Sequence, residues 1–110
     1  MLAQKKCLPC HKGEIPLSEE SANQLLKEIP GWTMLDDASL LIREFAFSNF
    51  DEALVFVNKV SEVAREENHH PDIAFGWGYC TLALCTHAID GLHENDFVMA
   101  AKVNALLEEV

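Results

Sequence analysis

Hydrophobic and polar positions along the chain follow two periods, one near four residues and one of two. Ala22, Leu25, Leu26 and Ile29 recur at helical spacing behind Ser18, a residue type suited to capping, and Pro30-Gly31 stops this short amphipathic helix. Glu19 and Glu20 fall in its first turn, where carboxylates suit the positive end of the helix dipole. Trp32 to Leu35 and Leu40 to Phe47 read as two strands around an Asp36-Asp37 turn. In the second strand Arg43, Phe45 and Phe47 share one parity, and Ile42, Glu44 and Ala46 the other. Ser48 followed by Asp51 predicts a capping box that opens a long helix through Asn68. Its apolar stripe is Phe50, Ala53, Val57, Val60 and Ala64, widened by Phe56 and Val63. Pro71 ends it, because the residue before a proline avoids the α region.

A second hairpin follows, with strands over Ile73 to Phe75 and Tyr79 to Thr86 around a Gly76 to Gly78 turn. Gly91 marks a loop, and His93-Glu94-Asn95-Asp96 leads into a last helix carrying Phe97, Ala100, Ala101, Ala105 and Leu106. The order αββαββα predicts an α+β fold, a four-stranded antiparallel sheet with helices packed on one face. The other sheet face would lie open, and subunit association is a natural cover for it. Residues 1–16, punctuated by Pro9, Gly13 and Pro16, read as a loose N-terminal extension, and 17–110 as a single domain.

Composition narrows the function classes. Eighteen acidic residues against eight Lys and Arg give a net charge of −10 over 110 residues, which argues against nucleic-acid binding. The apolar runs are too short for a bilayer span, and no secretory signal is visible, so the expected location is cytoplasmic. There the four cysteines are expected as reduced thiols. Cys7-Leu8-Pro9-Cys10-His11 has the spacing of c-type haem attachment and of half a zinc site. With no export signal and no second ligand pair nearby in sequence, it is read as an unpaired, mobile cysteine pair, with no metal and no cofactor.

Three histidines carry the candidate chemistry. His69 and His70 stand side by side where the long helix ends against Pro71, and His87 lies at the end of the fourth strand. Termini of rigid elements fix side chains that still reach solvent, and converging imidazoles form a natural acid–base site. For any one of these residues alone, a cap or surface histidine is the simpler reading.

The wider pattern is more specific. His69-His70-Pro71, then Trp77, His87 and Asp96 at fixed spacing, resembles the signature of the pterin-4a-carbinolamine dehydratase family. Gly31-Trp32, Gly91-Leu92 and the aromatic-rich stretch from Phe45 to Phe50 are also similar, so the likeness covers about residues 17–107. The resemblance implies a lyase that removes the 4a-hydroxyl of a 4a-hydroxytetrahydropterin as water, giving a quinonoid dihydropterin, in recycling of a tetrahydrobiopterin-type cofactor after aromatic amino-acid hydroxylation. It implies no metal or redox cofactor, His69 and His87 exchanging protons with the substrate, and His70 orienting the pterin. It also implies a homodimer or homotetramer. Asp96 would hold an imidazole or its loop beside the substrate, or cap the last helix, or do both. Trp32 and Trp77 could stack on a flat pterin; for Trp32 a core-edge aromatic closing the first hairpin is the favoured reading, while Trp77 reads equally as a ring packed over its turn.

One position departs from the pattern. The family places a carboxylate four residues before the first histidine, where this chain has Arg65, with Glu66 and Glu67 following. A carboxylate from either would arrive rotated by about 100° per residue. Some members of the family act as protein partners, including as a transcriptional coactivator, so the alternative is a catalytically weak, protein-binding module.

Overall fold

The computed structural model describes residues 1–107. Three helices, α1 (Glu19–Leu26), α2 (Phe50–Glu67) and α3 (Glu94–Leu107), alternate with four strands. The strands are β1 (Thr33–Leu35), β2 (Leu40–Ala46), β3 (Asp72–Gly76) and β4 (Tyr79–Leu84). The expected α+β order holds; residues 108–110 of the expected domain lie outside the described residues. The sheet is antiparallel throughout, in the order β1-β2-β4-β3. The two hairpins therefore join through their second strands, with Arg43 opposite Leu82 and Phe45 opposite Cys80.

Alternation on the central strands decides what the helices cover. Leu41 and Phe45 of β2 and Cys80, Leu82 and Leu84 of β4 are buried, as are Phe56, Val57, Val60 and Ala64 of α2. On the other parity Glu44, Ala46 and Ala74 are exposed, and Ile42, Thr81 and Ala83 half-buried. Phe45 stacks at a tilt on Phe56 with centroids 4.8 Å apart, which joins sheet to helix at the middle of the core. α3 is buried over most of its length, from Asn95 through Ala101.

Several boundaries moved for local reasons. Asn49, not Ser48, caps α2: its Oδ1 accepts the Glu52 N–H at 2.9 Å, while the Ser48 N–H donates to Glu52 Oε1 at 3.1 Å. The cap lies one residue later than expected, and Glu52 reaches past it to the preceding N–H rather than closing a reciprocal box. Phe50, placed in the apolar stripe, is exposed at that first position and leans on Phe75 instead. Ile29, expected inside α1, lies beyond it yet is fully buried. β4 ends at Leu84 rather than Thr86, because Thr86 pairs with Gly91 and His87 opens a 3₁₀ turn to Ile89.

Within residues 1–16, expected as a loose extension, residues 2–8 are tied to the domain, whereas 11–16 are exposed. A 3₁₀ turn over Leu2–Gln4 buries Leu2, and the Lys102 ammonium donates to the Ala3 carbonyl at 3.0 Å.

Candidate active site

Three elements bring the predicted histidines to one place. α2 is closed after Glu67 by Asn68, whose left-handed backbone (φ 52°, ψ 41°) is a conformation asparagine tolerates better than most residues. The Asn68 and His69 N–H groups both return to the Ala64 carbonyl, closing the helix and turning the chain across its end. This turn and Pro71 direct His69 and His70 into a cavity of about 600 Å³, within the range of small-molecule sites. His87, at the start of the 3₁₀ turn after β4, lines the same cavity.

Asp96 stands behind this wall. It is fully buried, and both its oxygens are used. Oδ1 lies 2.6 Å from His69 Nε2, and Oδ2 accepts the Thr86 hydroxyl at 2.8 Å and the His93 N–H at 3.0 Å. The last bond is the capping-box contact of α3, so one carboxylate caps the helix and orients an imidazole. An ionised carboxylate can only accept, which makes His69 the Nε2–H tautomer and leaves its Nδ1 free. His87 is exposed; its ring lies 3.9 Å from Cys85 Sγ through either nitrogen, a loose contact that fixes no tautomer.

The tryptophans are elsewhere. Trp32 is buried, edge-on to Phe45, with its indole N–H donating to Asn104 Oδ1 at 2.9 Å. Trp77, 75% exposed, caps the β3–β4 hairpin. Neither lines the cavity in this chain. Asp96 likewise does not line it, and meets it through two lining residues, His69 and Thr86.

Two contributors had no sequence signal that marked them, and a third, Glu67, is one of the two carboxylates expected from the sequence as able to reach the site. Thr86 and Asn95 are neutral residues beside His87 and Asp96, and adjacency was their only cue. Glu67 lines the cavity at a position two residues before His69, where Arg65 is exposed. A carboxylate thus lines the cavity from a rotated position, held by the Cys7 N–H at 2.7 Å and facing the Lys102 ammonium at 3.8 Å.

Cys7, Cys10 and Cys85 also line the cavity. Burial, and then the nearby Glu67 charge, push the Cys7 thiol up to about 12. Burial raises Cys10 and Cys85 as well, with Glu14 adding at Cys10 and Asp96 at Cys85. At neutral pH these are thiols rather than thiolates, unsuited to nucleophilic work. Cys10, Glu14 and His93 bring possible metal ligands within 4.8 Å of one another. However, His93 Nδ1 accepts the Asn95 N–H at 3.0 Å, so the neutral ring carries its proton on Nε2, the nitrogen 3.8 Å from Glu14. A metal-bound imidazole needs the reverse, a donor at its second nitrogen. The trio is therefore a poor metal centre.

Fold and cavity together define an α+β domain whose site gathers three imidazoles backed by a buried carboxylate. The family model described as pterin 4 alpha carbinolamine dehydratase matches residues 15–106, and the chain belongs to that family. A protein of Halorhodospira halophila, provisionally named pterin-4-alpha-carbinolamine dehydratase, is 50% identical over 105 residues, covering 96% of each chain. One of Methylococcus capsulatus with the same provisional name is 53% identical, covering 98% of this chain and 95% of its own. Among solved structures, a transcriptional coactivator/pterin dehydratase from Brucella melitensis aligns with a TM-score of 0.78 at 31% identity, over 83% of this chain and 97% of its own. A pterin dehydratase-like protein identified as a RuBisCO assembly factor in the alpha-carboxysome aligns with a TM-score of 0.60 at 25% identity, over 72% and 92%.

Proposed function

We propose that this protein dehydrates a 4a-hydroxytetrahydropterin to the quinonoid dihydropterin by histidine acid–base catalysis. The observation that carries the reading is the meeting of His69, His70 and His87 in one cavity, with His69 bonded to the buried Asp96.

The reaction asks for little else. Hydroxide is a poor leaving group, so an acid must protonate the 4a-oxygen while the C–O bond breaks, and a base must take a proton from a ring N–H. Water leaves, the ring gains a double bond, and no electron is exchanged with the protein. His69 suits the base, since Asp96 leaves Nδ1 as its acceptor and stabilises the imidazolium formed on proton transfer. His87 suits the acid, because its exposed ring exchanges protons readily with water. His70, adjacent in the lining, orients the pterin. Such proton transfers contribute about 10²–10⁴-fold. A place in tetrahydrobiopterin-type cofactor recycling, a cytoplasmic location and self-association across the exposed sheet face belong to the same proposal. For the described residues, no helix is long and apolar enough to cross a membrane.

The test is dehydration of freshly generated carbinolamine by the purified protein and by His87→Ala and His69→Ala. The expected result is acceleration by the unaltered chain and loss of about 10²-fold or more in either variant. An unaltered chain no faster than buffer removes the enzyme reading and leaves a protein-binding role, the role named for some structural relatives.

A further inference from the structure

The cavity has a wall that the family match does not include. The family model begins at residue 15, yet residues 7–10 line the cavity with the histidines. Two side chains clamp that segment. Asn95, almost fully buried, accepts the Leu8 N–H at 2.8 Å and donates its amide to the Leu8 carbonyl at 2.6 Å. This is the paired bonding a neighbouring strand would offer, and it fixes the backbone of residue 8 from both sides. Glu67 accepts the Cys7 N–H, and the Cys7 thiol reaches the Asn95 carbonyl at 3.7 Å. Pro9 stiffens the chain at the next position.

The wall differs in chemistry from the rest of the lining. Leu8 and Pro9 are apolar, and the Cys7 and Cys10 thiols are neutral, whereas the remaining lining carries the three histidines, Glu67 and Asp72. A neutral wall against an ionisable one suits a flat heteroaromatic ligand, with one side shielded from water and the other served by proton donors and acceptors. Asn95 sits beside Asp96 in the first turn of α3, so a single helix turn positions both walls.

We infer that residues 7–10 form the neutral wall that confines the pterin, and that Asn95 is the positioning residue that holds this wall in place. The inference rests on the pterin reading and deepens it. The wall contributes affinity and leaves proton transfer to the histidines, so its loss raises KM and spares kcat.

The thiols allow a direct test on the unaltered, reduced chain. N-ethylmaleimide labelling of each cysteine is followed by peptide mass spectrometry, with and without 7,8-dihydrobiopterin, whose binding is measured separately by equilibrium dialysis. With the probe at about ten times its Kd, labelling of Cys10 and of Cys85 is expected to slow by roughly tenfold, because reagent reaches only the empty form. Binding with Cys85 protected and Cys10 unprotected overturns the inference alone, as does binding with neither protected. Absence of binding removes the pterin reading and this inference with it. In parallel, Asn95→Ala is expected to raise KM about tenfold, equal to about 1.4 kcal/mol, with kcat within about twofold. A folded Asn95→Ala protein with unchanged KM also overturns it. The labelling stands even where that variant does not fold.

Discussion

His69 Nε2 and Asp96 Oδ1 lie 2.6 Å apart although 27 residues separate them in sequence. The pair joins the end of α2 to the start of α3, and its asymmetry sets the chemistry. Asp96 Oδ2 is committed to two donors, Thr86 and His93, so only Oδ1 is left for the imidazole. Asp96→Asn is informative for that reason. The asparagine carbonyl must stay at the Oδ2 position to serve the two donors, which turns its NH₂ toward His69. The imidazole then has to accept at Nε2 and carry its proton on Nδ1, so the free acceptor is gone. The expected outcome is a loss of about 10²–10⁴-fold in kcat with KM little changed, read from initial dehydration rates. A variant with full kcat would count against His69 as the base.

How far the sequence announces this site depends on the range of each signal. The His69-His70 pair against Pro71 is local, and the helix end it marks is where the structure has it. The tether from His69 to Asp96 is long-range, and its visible trace was family spacing rather than any local pattern. Thr86 and Asn95 carry no charge and occupy ordinary positions, so nothing short of the folded geometry distinguishes them. Asn95 acts on residue 8, from a segment whose prolines and glycine suggested looseness. Burial of Leu2 and the paired amide bonds to Leu8 outweigh that local tendency. Trp32 shows the converse: an aromatic at a family position is spent on the core, where its indole meets Asn104. The cap of α2 shifted because Ser48/Asp51 and Asn49/Glu52 both satisfy the same spacing, and only the backbone chooses between them.

Thr86→Val separates support of Asp96 from direct chemistry. Valine keeps the shape and removes the hydroxyl, leaving a fully buried carboxylate oxygen with the His93 N–H alone. A buried charged acceptor deprived of one donor costs about 1–3 kcal/mol. The expected result is an unfolding free energy lower by that amount at neutral pH, read as a lower denaturant midpoint with an unchanged m-value. Equal midpoints for the two proteins would mean that the hydroxyl bond carries no weight.

Gly31→Ala probes the corner that leads into β1. Gly31 has φ +90°, and a Cβ there would come within 2.5 Å of Arg43 Cζ. The Arg43 guanidinium has little freedom to retreat, since it donates to the Pro30 carbonyl at 3.0 Å and to Asn104 Oδ1 at 2.7 Å, and lies over the Phe45 ring. Backbone strain of this kind costs about 1–3 kcal/mol, and the displaced guanidinium adds to it. Thermal unfolding should show a lower Tm for Gly31→Ala, while the dehydration rate, measured well below that temperature, stays near the unaltered value. A neutral substitution would show that Arg43 can be repositioned freely.

Alkaline pH should weaken the fold through two thiols. Burial raises Cys7 from 9.0 to about 12, helped by the Glu67 charge, and raises Cys80 from 9.0 to about 11. Both folded values lie above the unfolded one, so the neutral thiols add stability that is fully present below pH 9. As pH climbs past 9 the unfolded chain releases these protons first and binds fewer than the folded chain, and stability falls with pH. The loss from Cys80 is complete near pH 11 and that from Cys7 near pH 12. Thermal melts at pH 7, 9 and 10.5 should therefore show a steeper decline above pH 9 than below it. Cys80→Ala removes one of the two groups at the cost of a small void under the sheet. Its Tm is expected to be lower than that of the unaltered chain at pH 7, and the gap to narrow at pH 10.5. A gap that is constant across the three pH values would show that the Cys80 thiol ionises as freely in the folded protein as in the unfolded one.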